Sequence, residues 1–278
     1  MNRFFGMFRG IAALEPAPRQ VSFFDDAFAY WDHPMSSVQT WDVAALVRAC
    51  ESLKIERIVD VGCGTGRLAF ALAGAYDTYI GLDSVQGPLS IFEELLRDSP
   101  ATGIETRLMD VLHPFSLESL DRRTAFVMGN VTVNSFRDSD SLITLMRNLS
   151  KSFEGPKSVL LSVFSDEVID KFPAFDHVVQ PYTFRAPSGR NRIVWRGIHY
   201  IRSEHKLLHN VFLEGGITGE EWPGVLGNHI ERVWTESAVK AVLEAAGHRC
   251  TRADTMYVAD GGAKGWPVRL MHVTLDTR

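Results

Sequence analysis

Three glycines and the carboxylates that follow them mark the part of this sequence that could do chemistry. The segment ERIVDVGCGTGRLAF, residues 56–70, runs from an apolar stretch into Gly62, Gly64 and Gly66. Glycine adopts positive φ readily, and it lets a ligand touch the main chain without meeting a Cβ. Asp83 ends the next apolar stretch, where a carboxylate can accept hydrogen bonds from both hydroxyls of a ribose. The pattern predicts a nucleoside lying against bare backbone.

Two further aspartates suit such a ligand. Asp110 ends the third apolar stretch in RLMDV, where a carboxylate beside Val111 can meet an adenine amino group and cover its face. Asp60 lies two residues before the first glycine, and an anion there suits a cationic ligand better than phosphates. The spacing G-C-G-T-G is one residue shorter than the dinucleotide fingerprint G-x-G-x-x-G, which disfavours a nicotinamide-dependent dehydrogenase.

The elements that must position these residues alternate between strand and helix. Apolar runs predict strands near 57–61, 78–82, 104–111, 123–131 and 157–165, with two late strands near 250–259 and 267–275. Helical spacing predicts helices near 66–76, 87–99, 140–153 and 235–246. This alternation is typical of an α/β fold with a doubly wound, seven-stranded and mostly parallel sheet. Between 166 and 230, short alternating stretches predict an inserted antiparallel β-rich lid.

Four separated segments carry a resemblance to a known family. The segments VDVGCGTGRLAFALA, YIGLDSV, RLMDV and ESAVKAVLEAAGH are together similar to the class I S-adenosylmethionine-dependent methyltransferases. The likeness covers residues 55–161 and the final helix and strands. It implies S-adenosyl-L-methionine as the cofactor, S-adenosyl-L-homocysteine as the product, and an enzyme that methylates a small-molecule acceptor by in-line displacement.

The resemblance also implies a division of the chain and a role for each matching position. The predicted regions are an N-terminal helical cap (1–50), a cofactor-binding α/β core (51–165), a β-rich substrate lid (166–230), and a C-terminal helix and strands that complete the core (231–278). The predicted cofactor-binding residues are Asp60, Gly62, Cys63, Gly64, Gly66, Asp83, Ser84, Asp110, Val111 and Asn130. Asp60 and the backbone carbonyl of Asn130 are expected near the cofactor's amino group.

The segment GNVTVN after the fourth strand bears on the acceptor atom. It lacks the two prolines and the aromatic residue that follow an Asp or Asn in the DNA and RNA amine methyltransferases. It is instead similar to the corresponding segment of glycine- and sarcosine-type N-methyltransferases. This likeness favours nitrogen over oxygen or carbon as the methylated atom.

Catalytic and substrate-binding residues are harder to identify, because transfer from a sulfonium needs mainly alignment and desolvation. A base is needed only where the acceptor is protonated, and the candidates are Tyr30, His113 and His209. The candidate substrate residues are Trp31, Asn134, Arg196 and Tyr200. Each has a structural alternative: aromatic packing, a turn residue, an exposed loop histidine or a solvated strand face. The acids of DDAFAYWD do not form a clear cluster, so no metal is predicted.

Composition limits the classes of protein that remain. The chain has 278 residues, 45% of them hydrophobic, and a net charge of −5. It therefore lacks the basic footprint of a nucleic-acid-binding protein, and no apolar stretch is long enough for a membrane span. Three separated cysteines, Cys50, Cys63 and Cys250, favour a reducing cytoplasmic location. A small molecule is the expected partner, and a homodimer is left open.

Two other functions also stay open. A protein or tRNA methyltransferase would carry a basic stripe, for which the available residues are Arg185, Arg190, Arg192 and Arg196. A cofactor-binding scaffold without turnover would keep the glycine loop but consume no cofactor.

Overall fold

The computed structural model describes residues 3–117, 120–121, 123–154, 157–258 and 266–275. The chain divides into two compact units. We call Gln39–Val168 with Trp234–Arg278 the core unit, and Met1–Val38 with Ile169–Val233 the insert unit. These divisions fall at other positions than the regions predicted from the sequence, which change at 50, 165 and 230.

The secondary structure alternates through the core unit and becomes almost wholly β in the long inserted segment. The helices are α1 (Gly6–Ala12), α2 (Asp26–Ser37), α3 (Val43–Leu53), α4 (Arg67–Ala71), α5 (Gln86–Arg97), α6 (Ser139–Lys151) and α7 (Glu236–Ala245). The strands are β1 (Arg19–Ser22), β2 (Arg57–Val61), β3 (Thr78–Asp83), β4 (Ile104–Leu108), β5 (Thr124–Met128), β6 (Lys157–Phe164), β7 (Val178–Arg185), β8 (Asn191–Ile201), β9 (Lys206–Glu214), β10 (Gly224–Arg232), β11 (Arg249–Val258) and β12 (Trp266–Leu275). Among the residues described, no helix combines the length and apolarity that a bilayer crossing requires.

The core unit is built on a seven-stranded sheet in the order β11-β12-β6-β5-β2-β3-β4. Strands β2 to β6 pair in parallel, and β12 pairs antiparallel with both β6 and β11. This confirms the predicted mostly parallel sheet. Strands β2, β3, β5 and β6 are largely buried, β5 entirely, because helices cover the sheet, whereas the edge strand β4 has exposed residues. On one face α6 and α7 bury Leu145, Leu149 and Leu243 against Val59 and Phe126.

The parallel register brings the ends of several strands to one edge of this sheet. Asp60 of β2 lies opposite Gly81 of β3, and Asp83 lies opposite Leu108 of β4. Since the carboxyl ends of parallel strands share one edge, the loops after β2, β3, β4 and β5 gather there. The sequence-predicted cofactor residues all lie on these loops or at these strand ends.

The insert unit holds a second sheet, of five strands in the order β1-β10-β9-β8-β7. The strands from β7 to β10 pair antiparallel, as predicted, while the edge strand β1 runs parallel to β10. Strand β1 was not predicted, because only helices were expected before residue 57. Its four residues, of which only Val21 is half-buried, are too few to show an alternating pattern.

Helices from the N-terminal segment cover both faces of this second sheet. Phe5 and Phe8, at the start of α1 and within it, pack with Leu208 and Phe212 on one face. On the other face, residues of α2 and the segment before it pack with Val194, Val211, Leu213 and Val225. The N-terminal segment is therefore part of the hydrophobic core of the insert unit.

Candidate functional site

The loop between β2 and α4 leaves an open backbone cradle at its centre. Gly62, Gly64 and Gly66 have φ of 73°, 55° and 84°. At Gly66 a Cβ would lie 2.2 Å from the Phe92 ring, so packing within the core unit requires this glycine. At Gly64, no atom of the described residues other than its own and its two chain neighbours' lies within 4 Å of the Cβ position. The space beside Gly64 is therefore free to receive a ligand against the main chain.

Asp83 lies beside this cradle and is bound to it. The Gly64 N–H donates to Asp83 Oδ2 at 2.9 Å, and the Val85 N–H donates to Oδ1 at 3.0 Å. Burial raises the pKa of the Asp83 carboxyl, and these backbone donors act against that shift. Each carboxylate oxygen retains another acceptor position, which suits the two hydroxyls of a ribose. Ser84, the next residue, is exposed.

The segment after β4 holds the predicted adenine-binding pair. The Val111 side chain is 7% exposed, and its carbonyl oxygen accepts a hydrogen bond from Asn148 Nδ2 of α6 at 2.9 Å. Asp110 Oδ2 lies 3.1 Å from His113 Nδ1, and the His113 side chain is 80% exposed. The hydrogen bond from Asn148 therefore holds the backbone of Val111 in place. His113, a candidate base, lies in solvent beside Asp110.

Backbone strain marks the loop after β5. Asn130 and Val131 have φ of 49° and 52°. A β-branched residue is rare at such angles, and strain of this kind costs on the order of 1–3 kcal/mol. The Asn130 N–H donates to Asp42 Oδ2 at 3.0 Å and the Val131 N–H to Ser162 Oγ at 2.7 Å, which hold the conformation. The sequence identified Asn130 but gave no sign of this strain.

Asp42 itself was missed by the sequence analysis. Its carboxylate, fully buried, forms a bidentate ion pair with Arg67 of α4: Nη1 to Oδ1 at 2.6 Å and Nη2 to Oδ2 at 2.7 Å. Arg67 Nη1 also donates to the Gln39 carbonyl oxygen at 2.7 Å. This network connects the N-terminus of α3, the glycine loop and the end of β5. No local motif could reveal it, because 25 residues separate the two charges.

Asp60 lies beneath the glycine loop, 3% exposed. Its carboxylate accepts a short hydrogen bond from the Tyr79 hydroxyl of β3. Burial raises the pKa of Asp60 to about 7, although the Tyr79 hydroxyl and the Arg67 guanidinium act to lower it. The carboxyl therefore changes charge near neutral pH, and a positive ligand nearby would favour its ionised form. Its predicted place near the cofactor's amino group stays a prediction.

Two other predicted core residues are packed side chains. Cys63 is 5% exposed, and burial raises the pKa of its thiol, so the thiolate is strongly disfavoured. Asn134 is 1% exposed, and its Oδ1 accepts the Trp234 backbone N–H at 3.0 Å. Its Nδ2 has no hydrogen-bond partner among the described residues.

The insert unit brings Arg196 and His209 together in a partly buried polar cluster, which we define as Arg196, His209, His229 and Glu231. Arg196 Nη2 lies 3.3 Å from His209 Nδ1, and His209 Nε2 lies 3.3 Å from a Glu231 carboxylate oxygen. His229 Nε2 lies 3.8 Å from the other oxygen. Burial opposes the charge of Glu231, but His209, His229 and Arg196 outweigh it and lower its pKa to about 2. The cluster therefore keeps an ionised carboxylate inside the unit.

The remaining candidates of the insert unit make packing contacts. Trp31 is 1% exposed, with its ring 5.7 Å from Phe23, and Tyr30 packs at the edge of the same apolar cluster. The Tyr200 hydroxyl lies 3.2 Å from His205 Nδ1, and the Tyr200 side chain is 5% exposed. The structure places these residues but does not show a ligand role for them.

Comparisons with known proteins agree with this geometry. Residues 58–152 match a family described as "Methyltransferase domain". No curated protein sequence matches the chain. An S-adenosylmethionine-dependent methyltransferase from Clostridium acetobutylicum shares the fold with a TM-score of 0.64 at 14% identity, over 88% of this chain and 96% of its own.

Two further solved structures share the fold. One is CalS10, an amino pentose methyltransferase from Micromonospora echinaspora with S-adenosylmethionine bound: TM-score 0.57, 16% identity, 87% of this chain and 95% of its own. The other is the sugar N-methyltransferase KedS8 from Streptoalloteichus: TM-score 0.57, 14% identity, 83% of this chain and 86% of its own. At these identities the likeness concerns the fold.

The raised pKa of Asp60 predicts a pH-dependent stability. Protonated Asp60 contributes stability below the unfolded pKa of 3.8, and this contribution is lost as pH rises through the folded pKa of about 7. Asn cannot ionise, so the free energy of unfolding of Asp60→Asn relative to the unaltered chain should rise from about pH 4 to about pH 7 and then stay level. Chemical denaturation across this range measures the difference.

Tyr79→Phe provides a second variant for the same measurement. It removes the hydroxyl that lowers the pKa of Asp60, so the pH-dependent change should extend to higher pH. A stability difference between Asp60→Asn and the unaltered chain that stays constant with pH would contradict a buried carboxyl with a raised pKa.

Proposed function

We propose that this chain, whose core is an S-adenosylmethionine-dependent methyltransferase domain, methylates a small-molecule acceptor, with nitrogen favoured over oxygen or carbon. The observation that carries the proposal is the open cradle at Gly64 with the Asp83 carboxylate bound beside it. The preference for nitrogen is supported by the likeness of GNVTVN to N-methyltransferases. It is also supported by two structures with the same fold, one an amino pentose methyltransferase and the other a sugar N-methyltransferase.

The residues at the carboxyl edge of the core sheet fit the proposed cofactor. We assign Asp83 to the ribose hydroxyls, Gly64 to close approach of the main chain, and Asp110 with Val111 to the adenine. The Asn130 carbonyl is assigned to the methionine ammonium. When bound, S-adenosyl-L-methionine supplies an electrophilic methyl group on a sulfonium.

The protein's own contribution is alignment, exclusion of water and, for a protonated amine, removal of a proton. Of the three candidate bases, His209 lies beside the ionised carboxylate of Glu231, and His113 lies beside the exposed carboxylate of Asp110. A carboxylate in that place would stabilise the imidazolium formed when His209 accepts a proton. His113 is exposed and Tyr30 belongs to an apolar cluster, and all three stay candidates for the base.

Three of the four arginines that could form a basic stripe bind acceptors within the insert unit, whereas Arg190 is exposed. Arg192 Nη2 donates to the Gly216 carbonyl oxygen at 2.7 Å and, over a shorter distance, to the Glu214 carbonyl oxygen. Arg196 belongs to the polar cluster, and Arg185 Nε donates to the Gly189 carbonyl oxygen at 3.3 Å. Donors used inside the unit are less available to phosphates or acidic peptides. A small-molecule acceptor is therefore favoured over a protein or tRNA.

Gly64→Ala tests the cradle. A Cβ at Gly64 would project into the open space that the cofactor is proposed to fill, so the dissociation constant for S-adenosyl-L-homocysteine should rise at least about tenfold, the equivalent of 1.4 kcal/mol. Isothermal titration calorimetry measures this change.

Gly74→Ala is the matched control for this variant. Gly74 also has positive φ, 88°, and open space at its Cβ position, but it lies in the loop before β3, at the opposite edge of the sheet. Both variants strain the backbone, so both should lose some stability, while only Gly64→Ala should lose affinity. Equal affinities for the two variants would show that the ligand does not approach Gly64.

Asp83→Ala tests the assignment to the ribose. It removes a charged acceptor with two oxygens, so affinity for the cofactor should fall by roughly 10- to 100-fold, from the 1.5–3 kcal/mol of hydrogen bonds to charged groups. Adenosine should lose affinity in the variant and 2′,3′-dideoxyadenosine should not, because only adenosine offers the hydroxyls. Asp77→Ala, just before the other end of β3, is the control. Undiminished binding of adenosine to Asp83→Ala would overturn the assignment.

Product analysis tests the acceptor atom. We expect methyl-labelled cofactor to transfer its label to an amino sugar and not to the otherwise identical sugar with a hydroxyl in place of the amine, as measured by mass spectrometry. Label in the hydroxyl sugar alone would overturn the preference for nitrogen, and label in protein or tRNA would favour the macromolecular alternative. Cofactor that binds but is never consumed by any acceptor would favour a scaffold.

A further inference from the structure

Three potential metal ligands converge in the insert unit, apart from the polar cluster. Asp176 and His177 immediately precede β7, and His199 lies on β8. His199 Nδ1 is 2.8 Å from Asp176 Oδ1, and His177 Nδ1 is 3.1 Å from the same oxygen. All three donor atoms lie within 4.8 Å of one another. Among the residues that the structure describes, this is the one such triad.

These separations are close to those of a zinc site. Bonds of about 2.0–2.2 Å to nitrogen and oxygen, arranged tetrahedrally, place the donor atoms roughly 3.4 Å apart. The two histidine nitrogens, now 2.8 Å and 3.1 Å from Asp176 Oδ1, therefore need to move away from that oxygen by roughly 0.3–0.6 Å to admit an ion. Two imidazoles and one carboxylate favour the binding of Zn²⁺ over that of Ca²⁺ or Mg²⁺, because Ca²⁺ and Mg²⁺ bind mainly oxygen ligands.

The surrounding residues hold the three ligands in place. His177 has φ of 59°, and its N–H donates to the Ile198 carbonyl oxygen at 2.8 Å, which fixes the start of β7 against β8. The Tyr200 N–H donates to Asp176 Oδ1 at 2.9 Å and orients the carboxylate. The Phe5 ring lies 5.3 Å from the His177 ring and 5.6 Å from the His199 ring. Hydrogen bonds and packing of this kind orient the ligands of metal sites.

Charge and exposure also suit a bound cation. The two imidazole rings lie 4.2 Å apart, so two protonated rings would repel each other, whereas two neutral rings can share one ion. The side chains of Asp176 and His199 are 31% and 28% exposed, and that of His177 is 54% exposed. Solvent can therefore reach the site and fill the remaining coordination positions.

We propose that Asp176, His177 and His199 bind one divalent ion of the zinc type. The ion would cross-link the start of β7 to β8 and so stabilise the insert unit. In this step each imidazole binds through Nδ1 as a neutral base with its proton on Nε2, and no electron is transferred. The proposal is independent of the cofactor assignment, because none of the proposed cofactor residues belongs to the triad. The sequence predicted no metal because His199 is 22 residues from His177 and only the pairing of β7 with β8 joins them.

The experiment uses the full chain without a polyhistidine tag, stripped of metal with a chelator. Titration with Co²⁺, followed by its visible absorption, and with Zn²⁺, followed by calorimetry, should each give one ion per chain. Zn²⁺ should also raise the melting temperature, because an ion that binds only the folded protein stabilises it. No binding of either ion would overturn the proposal.

His177→Asn and His199→Gln identify the ligands. Asn tolerates the left-handed backbone at position 177, so the first variant removes a ligand with little added strain. Each variant should weaken Co²⁺ binding at least about tenfold. Asp176→Asn should do the same, and its amide oxygen can still accept the Tyr200 N–H, which keeps the test valid if another variant fails to fold.

His205→Asn is the matched control. His205 is also a histidine of the insert unit with positive φ, 49°, and it does not belong to the triad. This variant should bind Co²⁺ and Zn²⁺ as the unaltered chain does. Binding that survives in His177→Asn and His199→Gln, or that is lost equally in His205→Asn, would place the ion elsewhere and overturn the proposal.

Discussion

The buried ion pair between Asp42 and Arg67 is the interaction on which the site of the core unit depends. Two charges removed from water are tolerated only where each is fully hydrogen-bonded, and the loss of one partner typically costs about 3–5 kcal/mol. Here the pair is bidentate, and it also binds the Gln39 carbonyl and the Asn130 N–H. A Cβ at Gly129 would lie 2.8 Å from both charged groups, so the backbone after β5 must pass close to them. The glycine loop and the strained loop after β5 are therefore positioned by one electrostatic network.

This network also sets the charge of the sheet edge. Asp42, Asp60 and Asp83 influence one another there, and Arg67 is the cation that lowers the pKa of Asp60. Asp42 is already neutralised by its bidentate partner, and burial raises the pKa of the Asp60 and Asp83 carboxyls. A phosphate would add repulsion to this arrangement, whereas a sulfonium and an ammonium would relieve it. The electrostatics thus favour a cationic nucleoside over a dinucleotide, for a reason that is independent of glycine spacing.

The sequence predicted those features that depend on neighbouring residues. The parallel strands are continuous apolar runs because both faces of the sheet are covered, so β2, β3, β5 and β6 were recognisable, as was the turn at Gly64. Features that depend on distant partners were not predicted. The Asp42–Arg67 pair, the positive φ of Val131 and the meeting of His177 with His199 follow from how loops and strands are brought together. Edge strand β1 was missed for a different reason, because four residues carry too little pattern.

Burying the charged groups of the polar cluster costs desolvation free energy, and the packing around the cluster gives no reason for placing charges there. The face of the sheet that carries Arg196, His209 and Glu231 also carries Val211 and Val225, which pack on the helical segment. Apolar residues in place of the buried charges would continue that packing, and buried ion pairs rarely stabilise more than apolar residues of similar volume. The cluster nonetheless keeps Glu231 ionised and leaves Arg196 Nε without a hydrogen-bond partner among the described residues. The cluster therefore places charged groups within a face of the insert unit's sheet that is otherwise apolar.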